Sequence, residues 1–182
     1  QNDPIETSKI SFVGSYNMLN LAKKNRAKIL FSSSSEIYGD ATNNPQVESN
    51  KGSVNTISKR SCYVEGKRIA ETMCTDFSKQ MKINIKIARI FNTYGSNMQK
   101  DDGRVISNFF VQAMQNKDLT VYGDGSQTRT FCYIDDNIDC TIKCLLENKY
   151  TNDVLNIGSD EEMSILSLAK LVIKLTKSQS KI

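Results

Sequence analysis

The sequence contains no histidine. That excludes Ser-His-Asp and Cys-His catalysis, and histidine-containing zinc sites, within these residues. No run approaches 18 consecutive apolar residues, so no membrane-spanning helix is expected. The opening residues, Gln1-Asn2-Asp3-Pro4, carry no signal-peptide pattern. Five cysteines (Cys62, Cys74, Cys132, Cys140 and Cys144) make an odd count without a CxxC pair, which argues against a disulfide framework or a four-cysteine zinc site. Reduced thiols and a cytoplasmic setting are the expectation, and no metal is expected. Nine glycines form neither GxGxxG nor GxxGxxG. Gly123-Asp124-Gly125 is a GxG without a closing glycine and reads as a tight turn between two strands. The net charge of +4 comes from interspersed charges with no basic block, so a solvated surface is expected rather than a nucleic-acid face. Chemistry must run on Tyr, Lys, Ser, Asp, Glu, Arg or Cys.

The 182 residues suit one compact domain, or a piece of a larger one, with 38% hydrophobic residues to build a core. Asp3-Pro4 followed by Glu6 signals a helix start, with the helix running to about Lys24. Gly14 inside it suggests close packing. Residues 28–33 read as a strand, 38–60 as a long loop, 61–79 as a helix and 83–90 as a strand. Residues 92–103 read as a second loop and 104–115 as a helix. Strands are expected at 119–122, 128–133 and 154–157, and helices at 135–147 and from the Ser164 cap to about 177. Cys140 and Cys144, one helical turn apart, are expected in the core. Alternating elements of this kind predict an α/β fold.

Tyr63-Val-Glu-Gly-Lys67 is the most informative local feature. Residues four apart share a helix face, so the phenol and the ammonium can serve one space. A nearby cation favours the phenolate, which makes a tyrosine usable as a general base. The strand ending in Ser32-Ser33-Ser34-Ser35-Glu36 lies about thirty residues earlier. The C-terminal end of such a strand is where α/β sheets place ligands.

Those stretches, with IARIFNTYGSNM (87–98), DGRVISNFF (102–110) and VYGDGSQTRTFCYIDD (121–136), resemble the extended short-chain dehydrogenase/reductases that act on nucleotide sugars. Within that family the similarity is greatest to the UDP-glucuronate decarboxylases, through Ser34-Ser35-Glu36-Ile37-Tyr38-Gly39, residues 62–74 and Arg89-Ile90-Phe91-Asn92-Thr93-Tyr94-Gly95. The resemblance implies a Rossmann-like parallel sheet with helices on both faces. That sheet would be partial, its N-terminal βαβ units absent, and joined to a small substrate-binding α/β portion. Residues 1–100 would carry the catalytic Ser, Tyr and Lys. Residues 101–182 would bind the sugar nucleotide, interleaved with the last sheet elements.

By resemblance, Tyr63 is the base for the sugar C4 hydroxyl, and Lys67 holds the nicotinamide ribose of NAD. Ser34 shares the substrate hydrogen bond, and Glu36 is the acidic residue of decarboxylases and 4,6-dehydratases. Ser32, Ser33 and Phe91 fall with Tyr63 and Lys67 on the cofactor side. Asn92, Arg104, Val105, Tyr122, Gln127 and Arg129 fall on the UDP-sugar side, Arg129 close to the reacting sugar. Dehydratases tend to carry Asp at position 35 as the acid for the leaving hydroxyl. Ser35 serves poorly there and avoids repelling a substrate carboxylate, so it favours decarboxylation. A 4,6-dehydratase, another sugar-nucleotide enzyme and a non-catalytic dimerising fragment remain open.

Several departures accompany these matches. The glycine-rich cofactor turn and the family's C-terminal arginine segment are not among these residues, so the chain is expected to be a fragment, inactive alone. Ser11 stands where the family often has Asn. The resemblance also implies a homodimer through helices 4–24 and 61–79, with Ile69, Met73 and Phe77 as an apolar stripe on the second. No membrane contact is implied for this segment.

Overall fold

A computed structural model describes residues 3–40, 44–147 and 154–182; residues 41–43 of the expected long loop lie outside them. The chain divides into two compact units, one of residues 1–91 with 138–157 and the other of residues 92–137 with 158–182. Residues 92–100 fall in the second unit.

The first unit opens with α1 (Pro4–Lys9), capped by Asp3, whose Oδ1 accepts from the Glu6 amide at 2.9 Å. The expected single helix to Lys24 is instead interrupted by a π-helical turn at Ile10–Gly14 before α2 (Ser15–Asn25). Arg26, left-handed at φ 51°, ends α2. β1 (Ile29–Ser34) leads into a 3-10 turn at Ser35–Tyr38. α3 (Ser61–Met81) then crosses over to β2 (Ile85–Ile90). β2 lies between β1 and β6 (Val154–Ile157) in a three-stranded parallel sheet, with Ile29 opposite Ile85 and Ile87 opposite Val154. Leu19 and Ala22 of α2 and Cys74 of α3 cover Ile83, Ile85 and Ile87, giving this unit its apolar core.

Gly14 is not a site of close approach, because a Cβ there would meet only Ile10 at 3.9 Å. The close crossing is at Gly66, where a Cβ would stand 2.7 Å from that of Ser11 in the π turn. The π turn and Gly66 are therefore two halves of one helix contact. The expected stripe on α3 is also mostly covered. Met73 and Phe77 pack on the unit's own core, and Phe77 meets Tyr16 edge-on at 5.9 Å, leaving Ile69 exposed.

In the second unit, β3 (Thr93–Tyr94) pairs in parallel with β5 (Cys132–Tyr133), and β4 (Thr128–Thr130) pairs antiparallel with β7 (Glu162–Ser164). The expected strand 128–133 thus splits, because its halves have different partners. Residues 119–122 form no strand. The Leu119 amide donates to Lys181 and the Thr120 amide to the Gln112 side chain, so the backbone is satisfied without a ladder. Gly123–Gly125 does form a turn, closed by Asp124 accepting from the Ser126 amide and hydroxyl. α4 (Val105–Met114) and α6 (Ile165–Thr176), the latter capped by Ser164, bury Phe109, Leu168 and Val172 between them. α5 (Ile134–Leu146), whose residues from Ile138 onward belong to the first unit, buries Cys144 but leaves Cys140 exposed, so only one of that pair is core. None of the five cysteines forms a disulfide. Among the described residues, no helix is long and apolar enough to cross a membrane and no acidic, Cys or His cluster could hold a metal.

Candidate active site

The end of β1 and the first turns of α3 bring the expected catalytic side chains of the first unit together. Lys67 Nζ donates to the Ser32 carbonyl at 2.7 Å and lies 5.0 Å from the Phe31 ring centroid and 5.8 Å from that of Tyr63. The phenol and the ammonium do share a helix face. Burial lowers the Lys67 pKa from its ordinary value, as expected of an ammonium partly withdrawn from water. Ser34 Oγ caps the 3-10 turn by accepting from the Glu36 amide at 3.2 Å. That turn contains Ser35 and aims the Glu36 carboxylate at Arg60, which grips both oxygens at 2.5 and 2.7 Å. Arg60 also sits over the Tyr63 ring, 5.3 Å from its centroid. Ser33 Oγ is buried with no hydrogen-bond partner among the described residues. Phe91, just past β2, packs at a tilt on Tyr38 at 6.4 Å.

Behind this cluster lies a buried polar network that the sequence reading did not find. Arg89 of β2 donates to both Glu71 carboxylate oxygens, at 2.8 and 3.1 Å. Its Nη1 also donates to the Tyr38 hydroxyl and to the Glu48 carbonyl. Tyr38 in turn donates to Asn156 of β6 at 2.7 Å. Burial alone would lower the Arg89 pKa, but hydrogen bonds with Glu71 and Tyr38 outweigh it and the value rises. Burial, and then the nearby Glu71 charge, push the Cys74 thiol up to about 12, so it stays protonated and inert.

The second unit holds the expected substrate-side residues around one cavity of about 310 Å³. Asn92, Arg104, Val105, Tyr122, Gln127 and Arg129 all line it, joined by Met98, Phe109 and Phe131 as apolar walls. Gln127 is held by donation to the Tyr122 carbonyl at 2.9 Å and Asn92 by donation to the Thr130 carbonyl at 3.2 Å. Arg104 pairs with Asp102, and that hydrogen bond holds the carboxyl below the usual carboxylate range. Val105 begins α4, whose N-terminal amides favour negative charge. Two arginines, amide side chains, an exposed tyrosine ring and a helix start suit a phosphorylated ligand with a planar base.

Arg60 was missed at the sequence level, although it lies three residues before Tyr63 and so on the same helix face. Its link to Glu36, 24 residues away, has no sequence signature.

With parallel sheet, strand-end serines and YxxxK helix in place, the class is defined: the chain belongs to the NAD dependent epimerase/dehydratase family, whose profile matches residues 1–158. It is 50% identical over 173 residues to UDP-glucuronic acid decarboxylase 3 of Arabidopsis thaliana, covering 95% of this chain and 50% of that protein. To UDP-glucuronic acid decarboxylase 1 of Danio rerio it is 48% identical over 180 residues, covering 99% of this chain and 43% of that one. Among solved structures, it is similar to the UDP-glucuronic acid 4-epimerase of Bacillus cereus in complex with UDP-glucuronic acid and NAD. That match has a TM-score of 0.81 and 29% identity, over 94% of this chain and 52% of the other. The chain spans about half the length of the curated relatives it matches.

Proposed function

We propose that this chain belongs to an NAD-using enzyme that decarboxylates UDP-glucuronate to UDP-xylose through a 4-keto sugar. The observation that carries the reading is the Tyr63 phenol with Lys67 along its helix face and, over its ring, the Arg60 guanidinium that grips the Glu36 carboxylate. Half-identity to proteins named UDP-glucuronic acid decarboxylase supports it. The nicotinamide end of NAD fits the residues present. Lys67 spends one donor on Ser32 and keeps two for a ribose, and the orphaned Ser33 hydroxyl lies at the same strand end.

When bound, NAD+ accepts the C4 hydride and later returns it. The chain supplies the proton chemistry and the positioning. Tyr63 takes the C4 hydroxyl proton, with Ser34 sharing that hydrogen bond, and the Lys67 cation stabilises the charge left on the phenol oxygen. The resulting 4-keto sugar is a β-keto acid. Its C5–C6 bond breaks, carbon dioxide leaves, and the electron pair moves into the enolate. C5 then takes up a proton, with Glu36 the nearby acid–base group. Tyr63 returns its proton to the C4 oxygen as hydride comes back, so no net NADH forms. Asn92, Arg104, Val105, Tyr122, Gln127 and Arg129 bind the nucleotide sugar in the second unit's cavity. Ser35 places no second acid beside the substrate carboxylate.

The direct test is UDP-glucuronate labelled at C6, given to the NAD-loaded enzyme. Labelled carbon dioxide and UDP-xylose are expected, without net NADH. UDP-galacturonate with its label retained would make the enzyme an epimerase. A 4-keto-6-deoxy sugar from dTDP-glucose would make it a dehydratase. Either result overturns the reading.

The same reading includes a homodimer through helices 4–24 and 61–79 and, from five cysteines that form no disulfide, a cytoplasmic setting. Its support is an apolar face of Ile10, Val13, Met18 and Leu21, with Ile69 of α3, all exposed. Met18→Glu is expected to shift the protein from dimer to monomer in sedimentation while leaving its melting temperature nearly unchanged. A wild-type protein that sediments as a monomer at micromolar concentration overturns this.

A further inference from the structure

Arg60 has no role in the chemistry set out above, yet it meets two of the groups that carry it. It stands at the N-cap of α3, where its side chain makes no capping bond. The guanidinium instead donates through Nε and Nη2 to the two oxygens of Glu36 and lies over the Tyr63 ring. We propose that Arg60 is a positioning residue that fixes the Glu36 carboxylate and cancels its charge beside the Tyr63 phenol. This rests on the reading of Tyr63 as base and Glu36 as its neighbouring acid–base group.

The physical need is plain. When Tyr63 takes the substrate proton, the phenol side must tolerate negative charge close to the Glu36 carboxylate and the carboxylate of the substrate. Adjacent like charges oppose one another's formation. A guanidinium between carboxylate and ring offsets one of them at the moment the charge moves. Lys67 donates to the Ser32 carbonyl and serves the phenol oxygen, whereas the Glu36 carboxylate has Arg60 as its cation. Arginine suits the task better than lysine, because its planar fork meets both carboxylate oxygens and fixes the plane of the group.

The pair is also about half exposed, with side-chain accessibilities of 56% for Arg60 and 41% for Glu36. Ion pairs so placed add little to folding stability. Loss of Arg60 is therefore expected to cost activity far more than stability, which separates positioning from scaffolding.

The test is a mutant cycle in the NAD-loaded enzyme with UDP-glucuronate, using Arg60→Gln, Arg60→Lys, Glu36→Gln and Arg60→Gln/Glu36→Gln. Arg60→Gln is expected to lower kcat roughly tenfold or more, with UDP affinity and melting temperature nearly unchanged. Arg60→Lys is expected to recover part of the loss, because the charge remains and the fork does not. In the Glu36→Gln background, the further change Arg60→Gln is expected to cost less than about threefold, since the charge it cancelled is gone. Equal losses in the two backgrounds, no loss in the single variant, or an Arg60→Gln protein that no longer folds would each overturn the assignment. Wild-type enzyme that releases no carbon dioxide sinks the functional reading instead, so the two failures are distinguishable.

Discussion

Tyr63→Phe is expected to reduce turnover of UDP-glucuronate by a factor of roughly 10²–10⁴, the usual weight of a positioned general acid–base group. The substitution removes one oxygen and keeps the ring. The ring's contacts with Arg60 at 5.3 Å and with Lys67 at 5.8 Å persist, so the first turns of α3 have no reason to shift. Nor does the change touch the second unit's cavity, whose lining carries the proposed nucleotide contacts. Calorimetry should therefore show UDP binding within about threefold of wild type, while steady-state carbon dioxide release collapses. The split matters because a misfolded variant would lose both. A Tyr63→Phe enzyme with near-normal turnover would remove the phenol from its proton-accepting role. The loss should also exceed that of Ser34→Ala, because in the proposed mechanism Ser34 shares a hydrogen bond whereas Tyr63 holds the proton.

The parts of this fold that were legible in the sequence are those written locally. Asp3-Pro4 with Glu6, and Ser164 three residues before Ser167, announce helix starts because each cap is satisfied within one turn. The YxxxK spacing likewise carries its own geometry, and the structure puts Lys67 beside the Tyr63 ring. The substrate-side residues came from resemblance, and the cavity of the second unit brings all six of them together.

What was not legible depends on which distant segment arrives. The π turn at Ile10–Gly14 belongs to a crossing with Gly66, more than fifty residues later, and nothing near Gly14 announces it. Residues 119–122 have strand-like composition, but their backbone partners are the Gln112 side chain and the C-terminal segment, so no ladder forms. Arg60 drew no attention in the sequence because Glu36 reaches it only through the turn after β1. The same reason hid the role of Arg89, whose partners Glu71, Tyr38 and Glu48 come from distant segments.

Arg89→Met is expected to destabilise the first unit by about 3–5 kcal/mol, the range for breaking a buried ion pair from one side. Arg89 is 8% exposed and Glu71 9%, so the orphaned carboxylate could not recover its hydration without opening the contact between α3 and the sheet. The Tyr38 hydroxyl and the Glu48 carbonyl would lose a donor at the same time. Methionine fills most of the volume, so the effect reads charge and hydrogen bonding rather than a cavity. In a chain of this size that loss should lower the melting temperature by roughly 10 °C or more, followed by circular dichroism. Glu71→Gln added to Arg89→Met should recover part of it, because the buried charge is removed from both sides and only amide bonding remains to be satisfied. A single variant melting within about 2 °C of wild type would mean that water already reaches Glu71. The network would then be a solvated contact rather than the strut that ties β2 to α3, one turn beyond Lys67 on the same face.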